Sequence, residues 1–180
     1  MKLHVLTAVT RPWNLNVVAK SLETAAERVD IDLSWHLRFD LGRESLGGQA
    51  LKNELLDEVA DGWVWFLDDD TIVHEDLFVN VWSAIAPYSD VPAVVVSQRR
   101  NDGRVLLAKP RNVCVNGIDI GQALLRRDLI GNERIPESYA GDGEFLQALL
   151  HDRQDVIYMS EVLSLHNVLS GLDVASRQTA

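Results

Sequence analysis

The residues Trp63-Val64-Trp65-Phe66-Leu67 form an unbroken apolar run that stops on three consecutive carboxylates, Asp68, Asp69 and Asp70. A short apolar run of this kind reads as a buried strand. Three like charges at its end repel one another, and the repulsion is costly where water is partly excluded. A divalent cation relieves it, since magnesium and manganese are hard ions that take oxygen ligands. If the extended geometry continues through the triplet, Asp68 and Asp70 point to one side and Asp69 to the other. A polar loop or an acid-rich helix N-terminus is the plainer alternative.

The segments before that strand alternate in period. Leu3 to Thr7 reads as a buried strand. Leu15, Val18, Ala19, Leu22, Ala25, Ala26 and Val29 follow helical spacing. Leu33, Trp35, Leu37 and Phe39 alternate with Ser34, His36 and Arg38, as in a strand with one wetter face. Gly42 and Gly47-Gly48 mark a loop, and Gln49 to Val59 reads as a second helix. Strand, helix, strand, helix, strand implies parallel pairing through right-handed crossovers. The expected class is therefore α/β, a Rossmann-like, mostly parallel sheet with flanking helices. Such sheets place ligands at the carboxyl ends of their strands. The Thr10 loop, Asp40 and the aspartate triplet all fall at such ends.

Beyond the triplet, Leu77, Phe78, Val81, Trp82 and Ile85 predict a third helix and Ala93 to Ser97 a strand. Asp102-Gly103 predicts a turn, with Val105 to Ala108 as the returning arm of a hairpin. Ile120 to Leu125 reads as a strand, Asp142 to His151 as a helix, and Val156 to Met159 and Val162 to Leu165 as two short strands. From Ser170 onward the chain is polar and expected to fray. No repeat or linker divides the 180 residues, so one domain over 1–180 is expected.

The net charge of −10 argues against a nonspecific nucleic-acid binder, which would want a basic face, and disfavours a large polybasic membrane patch. Peripheral docking on a membrane or on a protein partner stays open. One cysteine, Cys114, excludes an intramolecular disulfide and a multi-cysteine zinc site, and its apolar neighbours predict a buried thiol. No apolar run approaches membrane-spanning length, and a cytoplasmic location is expected.

Taken in order, several segments resemble the GT-A glycosyltransferases, the nucleotide-diphospho-sugar transferase fold, and among them the inverting family 2 enzymes. Leu51-Lys52-Asn53, followed by Ala60-Asp61-Gly62 and the run into Asp68-Asp69-Asp70, resembles the Lys/Arg-Asn element ahead of the strand that carries the DxD motif. Gly141-Asp142-Gly143-Glu144-Phe145 resembles the later acidic motif at a helix head, and Gln122 to Leu129 the segment before it. Gly143 departs from the motif, whose members less often lose the side chain there. Phe66 to Thr71, with Leu77-Phe78 after it, and the opening Thr7 to Pro12 also resemble the glucuronyltransferase-like enzymes. The resemblance spans about Lys2 to His166, and the chain is shorter than most members of the fold.

The resemblance implies a metal-dependent transfer of a sugar from a nucleoside-diphosphate donor, a UDP- or GDP-sugar, to a glycan or other acceptor hydroxyl, with inversion. The cofactor is a divalent cation, Mn or Mg. Asp142 is then the catalytic base, with Glu144 as runner-up; a helix cap is the structural alternative for Asp142. Thr10, Arg11, Asp40, Asn53, Asp68 and Asp69 are expected at the donor nucleotide, and Asp70 and His166 at the metal. Arg99, Arg100 and Arg104 face donor phosphate, an anionic acceptor or plain solvent. A sugar-phosphate nucleotidyltransferase, a phosphatase of the haloacid dehalogenase type and a nucleotide-sugar- or metal-binding module without turnover remain as alternatives. The loop after the first strand lacks the glycines a triphosphate cradle needs, and Ile72 stands where the phosphatase pattern has threonine.

Overall fold

The computed structural model describes residues 1–40, 42 and 48–169. Its centre is one eight-stranded sheet ordered β2-β1-β3-β7-β5-β8-β4, with β6 attached to β5. The strands are β1 (Lys2–Val9), β2 (Asp32–Phe39), β3 (Trp63–Phe66), β4 (Ile72–Val73), β5 (Ala93–Arg100), β6 (Val105–Leu106), β7 (Ala123–Arg126) and β8 (Ile157–His166). β1 pairs in parallel with β2 and β3, and β5 with β8. β7 runs antiparallel between β3 and β5, and β4 and β6 are short antiparallel additions. The longest strands thus share one direction, as the alternating periods predict.

Helices cover both faces. On one side lie α2 (Gln49–Asp57) and α5 (Gly141–Leu150), which pack Leu55, Leu56, Phe145, Leu146 and Leu150 against Leu6, Val64, Phe66 and Val95 of the sheet. On the other, α1 (Leu15–Ala26) and α3 (Leu77–Ile85) pack Val18, Leu22, Phe78 and Val81 against Leu3, Val5, Trp65 and Val94. The period-2 alternation of a strand sends neighbouring residues to opposite cores, which is why central strands buried on both faces read as continuous apolar runs. Phe66 meets Phe145 edge to face at 6.0 Å, and Trp65 meets Phe78 in the same way at 6.1 Å on the other side. α4 (Arg127–Ile130) is a single turn after β7.

Several expectations change in detail. The segment Ile120–Gln122 is a 3₁₀ turn rather than strand, because Asp119 caps it: its Oδ1 accepts from Gly121 N at 2.9 Å, and its own N–H donates to Gln122 Oε1. The two predicted short strands near the end are one strand, β8. Its ladder with β5 jumps from Val96↔Met159 to Ser97↔Val162, so the polar pair Ser160-Glu161 is accommodated as a bulge. Cys114 is exposed, not buried; Val113 beside it enters the core instead. The Gly47 part of the predicted loop and the tail from Ser170 lie outside the described residues. No helix among the described residues is long and apolar enough to cross a membrane.

Candidate active site

The carboxyl ends of β3 and β5, the Asp119 turn and the head of α5 surround a cleft of about 670 Å³, a size suited to a small-molecule ligand. Lys52, Asp68, Arg100, Asp119, Asp142 and His166 supply its ionisable lining together with Arg104 and Tyr139. A second cavity of about 630 Å³ sits at the opposite ends of β5 and β8, and its lining holds no lysine, arginine or histidine.

The aspartate triplet does not stay extended. β3 ends at Phe66, and Thr71 N donates to Asp68 O at 3.1 Å, so the three acids occupy a turn. The turn separates them. Asp69 is held by the loop after β1: it accepts from Thr10 N at 2.6 Å, from Arg11 N at 2.5 Å and from the Arg11 guanidinium at 2.5 Å. Arg11 also reaches Asp70 at 3.1 Å. Asp70 is buried, and the Asn167 amide, oriented to satisfy both its ends, donates to both Asp70 oxygens at 3.2 and 2.8 Å. Burial and the nearby Asp68 charge raise the Asp70 pKa to about 6 although Arg11 opposes them. Asp69 and Asp70 therefore share one arginine, while Asp68 alone lines the cleft.

Asp68 faces Lys52 at 2.9 Å. Lys52 takes the buried position of α2 that precedes Leu55 and Leu56 by three and four residues, so its ammonium enters the site from within the core. Burial works against its charge, but Asp68 and Asp142 outweigh burial and hold its pKa above the ordinary value. Burial likewise opposes ionisation of Asp68, and Lys52 and His166 prevail to keep that carboxyl below its usual range.

His166 ends β8. Its Nε2 donates to Asn167 Oδ1 at 2.9 Å, and its Nδ1 lies 3.8 Å from Asp68 Oδ2. Asp119 Oδ2 lies 3.7 Å from His166 Nε2. Asp68, Asp119 and His166 offer one ligand atom each within 4.8 Å of one another. Asp70, expected as a metal ligand, lies outside that group. Two carboxylates and an imidazole suit manganese or another borderline divalent ion. Asp68, Asp142 and Asp119 all act on the one buried ammonium, Lys52, so the acidic side of the cleft is where a doubly charged ion would add to its charge.

Asp142 stands in the first turn of α5, and its Oδ1 is buried with no hydrogen-bond partner. Burial is the largest cause of a pKa raised to about 6; Lys52 opposes it, and Asp68 and Asp119 reinforce it. It does not cap the helix, which has no side-chain cap at all. The departure at Gly143 has a steric cause: a Cβ there would lie 2.8 Å from Val115 Cα.

Of the residues singled out from sequence, Asp68, Asp142 and His166 meet in the cleft. Thr10, Arg11, Asp69 and Asp70 form an adjoining ion-paired cluster. Asp40 follows β2 directly and is buried, and its N–H donates to Val9 O at 2.8 Å. Asn53 uses both ends of its amide on the Ile135 backbone, at 2.8 and 2.9 Å, and so ties α2 to the approach of α5. Glu144 is exposed and accepts from Ser138 Oγ at 3.3 Å. Lys52 and Asp119 went unassigned. The Lys-Asn pair pointed to the first, whereas nothing local marks Asp119 beyond its capping spacing to Gln122.

No protein-family model matches the chain, and no curated protein matches its sequence. Solved structures do. S. aureus TarS in complex with UDP-GlcNAc is similar with a TM-score of 0.68 at 14% identity, over 92% of this chain and 58% of that one. The catalytic domain of Drosophila β1,4-galactosyltransferase 7 with xylobiose is similar with a TM-score of 0.60 at 12% identity, over 89% of this chain and 65% of that one. A mutant of that enzyme, in complex with manganese, UDP-Gal and xylobiose, gives a TM-score of 0.57. The chain has the GT-A fold of these glycosyltransferases. It spans under two thirds of the length of these structures.

Proposed function

We propose that this chain is a divalent-cation-dependent glycosyltransferase that moves a sugar from a nucleoside-diphosphate donor to an acceptor hydroxyl with inversion. The observation that carries the reading is Asp142: a half-buried carboxylate whose Oδ1 is buried without a partner and whose pKa is raised to about 6, in the same cleft as the Asp68, Asp119 and His166 group. TarS and the galactosyltransferase, whose structures contain UDP-GlcNAc and UDP-Gal, make a UDP-sugar the first donor to try.

Asp68, Asp119 and His166 would hold the cation, which when bound would supply positive charge to the donor's diphosphate. Thr10, Arg11 and Asp40, at the ends of β1 and β2, face the nucleoside. Lys52 keeps Asp68 ionised. Asp142 accepts the proton of the acceptor hydroxyl. As the acceptor oxygen bonds to the anomeric carbon, the bond from that carbon to the diphosphate oxygen breaks, and its electron pair leaves with the diphosphate. A base near pH 6 is ionised at neutrality yet still basic enough to take that proton.

A thermal-shift panel of UDP, GDP, CDP and dTDP, each with and without manganese, tests the reading, because a ligand of the folded state raises its stability. A rise that requires one nucleotide and the cation together supports it. No rise with any pair overturns it.

A further inference from the structure

The cleft has a basic wall that the chemistry above leaves unused. Arg100 ends β5, and Arg104 lies across the turn to β6, with its carbonyl accepting from Arg100 N at 2.8 Å. Both line the cleft. Arg104 shares its charge with Asp102, Nε to Oδ2 at 2.7 Å. Arg100 makes no salt bridge among the described residues, and its Nε is buried without a hydrogen-bond partner. A buried donor left unpaired is costly, and an oxyanion answers a guanidinium with charge-assisted bonds that are often bidentate. Two arginines converging on one cleft also contrast with a chain of net charge −10.

The sheet order fixes where this wall stands. β3 and β7 lie between β1 and β5, so the end of β5 is three strand spacings, about 14 Å, from the end of β1. A nucleoside at the ends of β1 and β2 therefore leaves the arginines at the far side of the cleft, beyond Asp68. Asn116 and Tyr139, the latter 95% exposed, line the cleft with them.

We propose that Arg100 and Arg104 bind an anionic group, phosphate or carboxylate, carried by the acceptor. The proposal rests on the glycosyltransferase reading and deepens it to a class of acceptor. Arginine suits both anions through the same planar fork, so the two sources are separated by experiment.

UDP release is followed with UDP-GlcNAc or UDP-Gal and manganese, using matched acceptors: glycerol against glycerol 3-phosphate, glucose against glucose 6-phosphate, and glucose against glucuronate. The anionic member of one pair is expected to show a kcat/KM at least about tenfold higher, the effect of a charge-assisted contact. The phosphate and carboxylate arms tell which anion is read. In the double variant Arg100→Gln/Arg104→Gln the preference falls to about twofold or less, and Arg100→Lys/Arg104→Lys keeps part of it. Affinity for UDP with manganese stays at the wild-type value, which also certifies the fold of both variants.

Three results overturn the proposal: a wild type that binds UDP yet neither prefers nor uses an anionic member, a preference that survives the glutamines, or a loss of UDP affinity in the glutamine variant. The last assigns the arginines to the donor diphosphate. Failure of the underlying reading looks different, with no nucleotide bound in the presence of manganese and no UDP released with any acceptor, and the proposal falls with it.

Discussion

Replacing Lys52 with methionine strips the cleft of its one buried ammonium. The Lys52 side chain is 2% exposed, and its partner Asp68 keeps 25%. Removing one member of a buried ion pair costs roughly 3–5 kcal/mol, because the other charge is left stranded. The residual exposure of Asp68 puts the expected loss at the lower end, about 3 kcal/mol near pH 7. The loss has a definite sign in pH. In the wild type the folded pKa of Asp68 is depressed, so its stabilisation is present above the unfolded pKa and is lost as pH falls through the folded value. In the variant the same carboxyl is desolvated without its cation, and its folded pKa rises. The penalty then operates above that raised value and fades as pH falls. Asp142 adds to it in the same direction, since Lys52 holds its pKa down toward 6. The gap between variant and wild type is therefore widest near neutrality and narrows toward about pH 5. Urea denaturation followed by tryptophan fluorescence at the two pH values measures it. Manganese should stabilise the variant more than the wild type by supplying the missing charge. A variant within about 0.5 kcal/mol of wild type at both pH values refutes a stabilising role for the buried Lys52–Asp68 pair, because that is the range of an ordinary surface change.

Asp142→Asn should lower transfer by about 10²–10⁴-fold while UDP and manganese still bind. Wild-type turnover should rise with pH through about 6, where this base loses its proton, and single-turnover assays across pH check both. The same variant should be more stable than wild type near pH 7: a carboxyl whose folded pKa is raised opposes folding once it must ionise, and the amide removes that term. Thermal denaturation would show a higher midpoint that converges with wild type below about pH 4, where both forms are neutral. His166→Ala should weaken manganese binding by about tenfold or more, read by titration of the UDP-loaded protein, without shifting the metal-free melting temperature to a similar degree. Gly143→Ala should destabilise by about 1–3 kcal/mol in urea, since its Cβ would meet Val115 Cα at 2.8 Å, inside contact distance.

Much of the architecture was legible because it is local. The spacing of Val18, Leu22 and Ala25 announces α1, the run from Trp63 announces β3, and Asp102-Gly103, with Gly103 at φ +84°, announces the β5–β6 turn. β4 is two residues long and exists through its pairing with β8, so no local pattern betrays it. The break that suggested two strands after Val156 is the same bulge that lets β8 stay paired with β5. Gly143 looked like a departure in a motif; packing against Val115, about thirty residues back, makes it a requirement.

The sequence by itself determined which chemistry was on offer: carboxylates at the end of a buried strand, a second acidic cluster at a helix head, and an order of strands and helices that brings them to one edge. Tertiary structure alone decided which of those acids face the cleft. The Asp68–Thr71 turn delivers Asp69 and Asp70 to Arg11 and leaves Asp68 with Lys52, Asp119 and His166, residues separated from it by up to about a hundred positions. Side-chain period tells on which face of a strand a residue lies, but it stops where the strand stops. Which charges then meet depends on long-range pairing and burial, and these exist only once the sheet has closed around them.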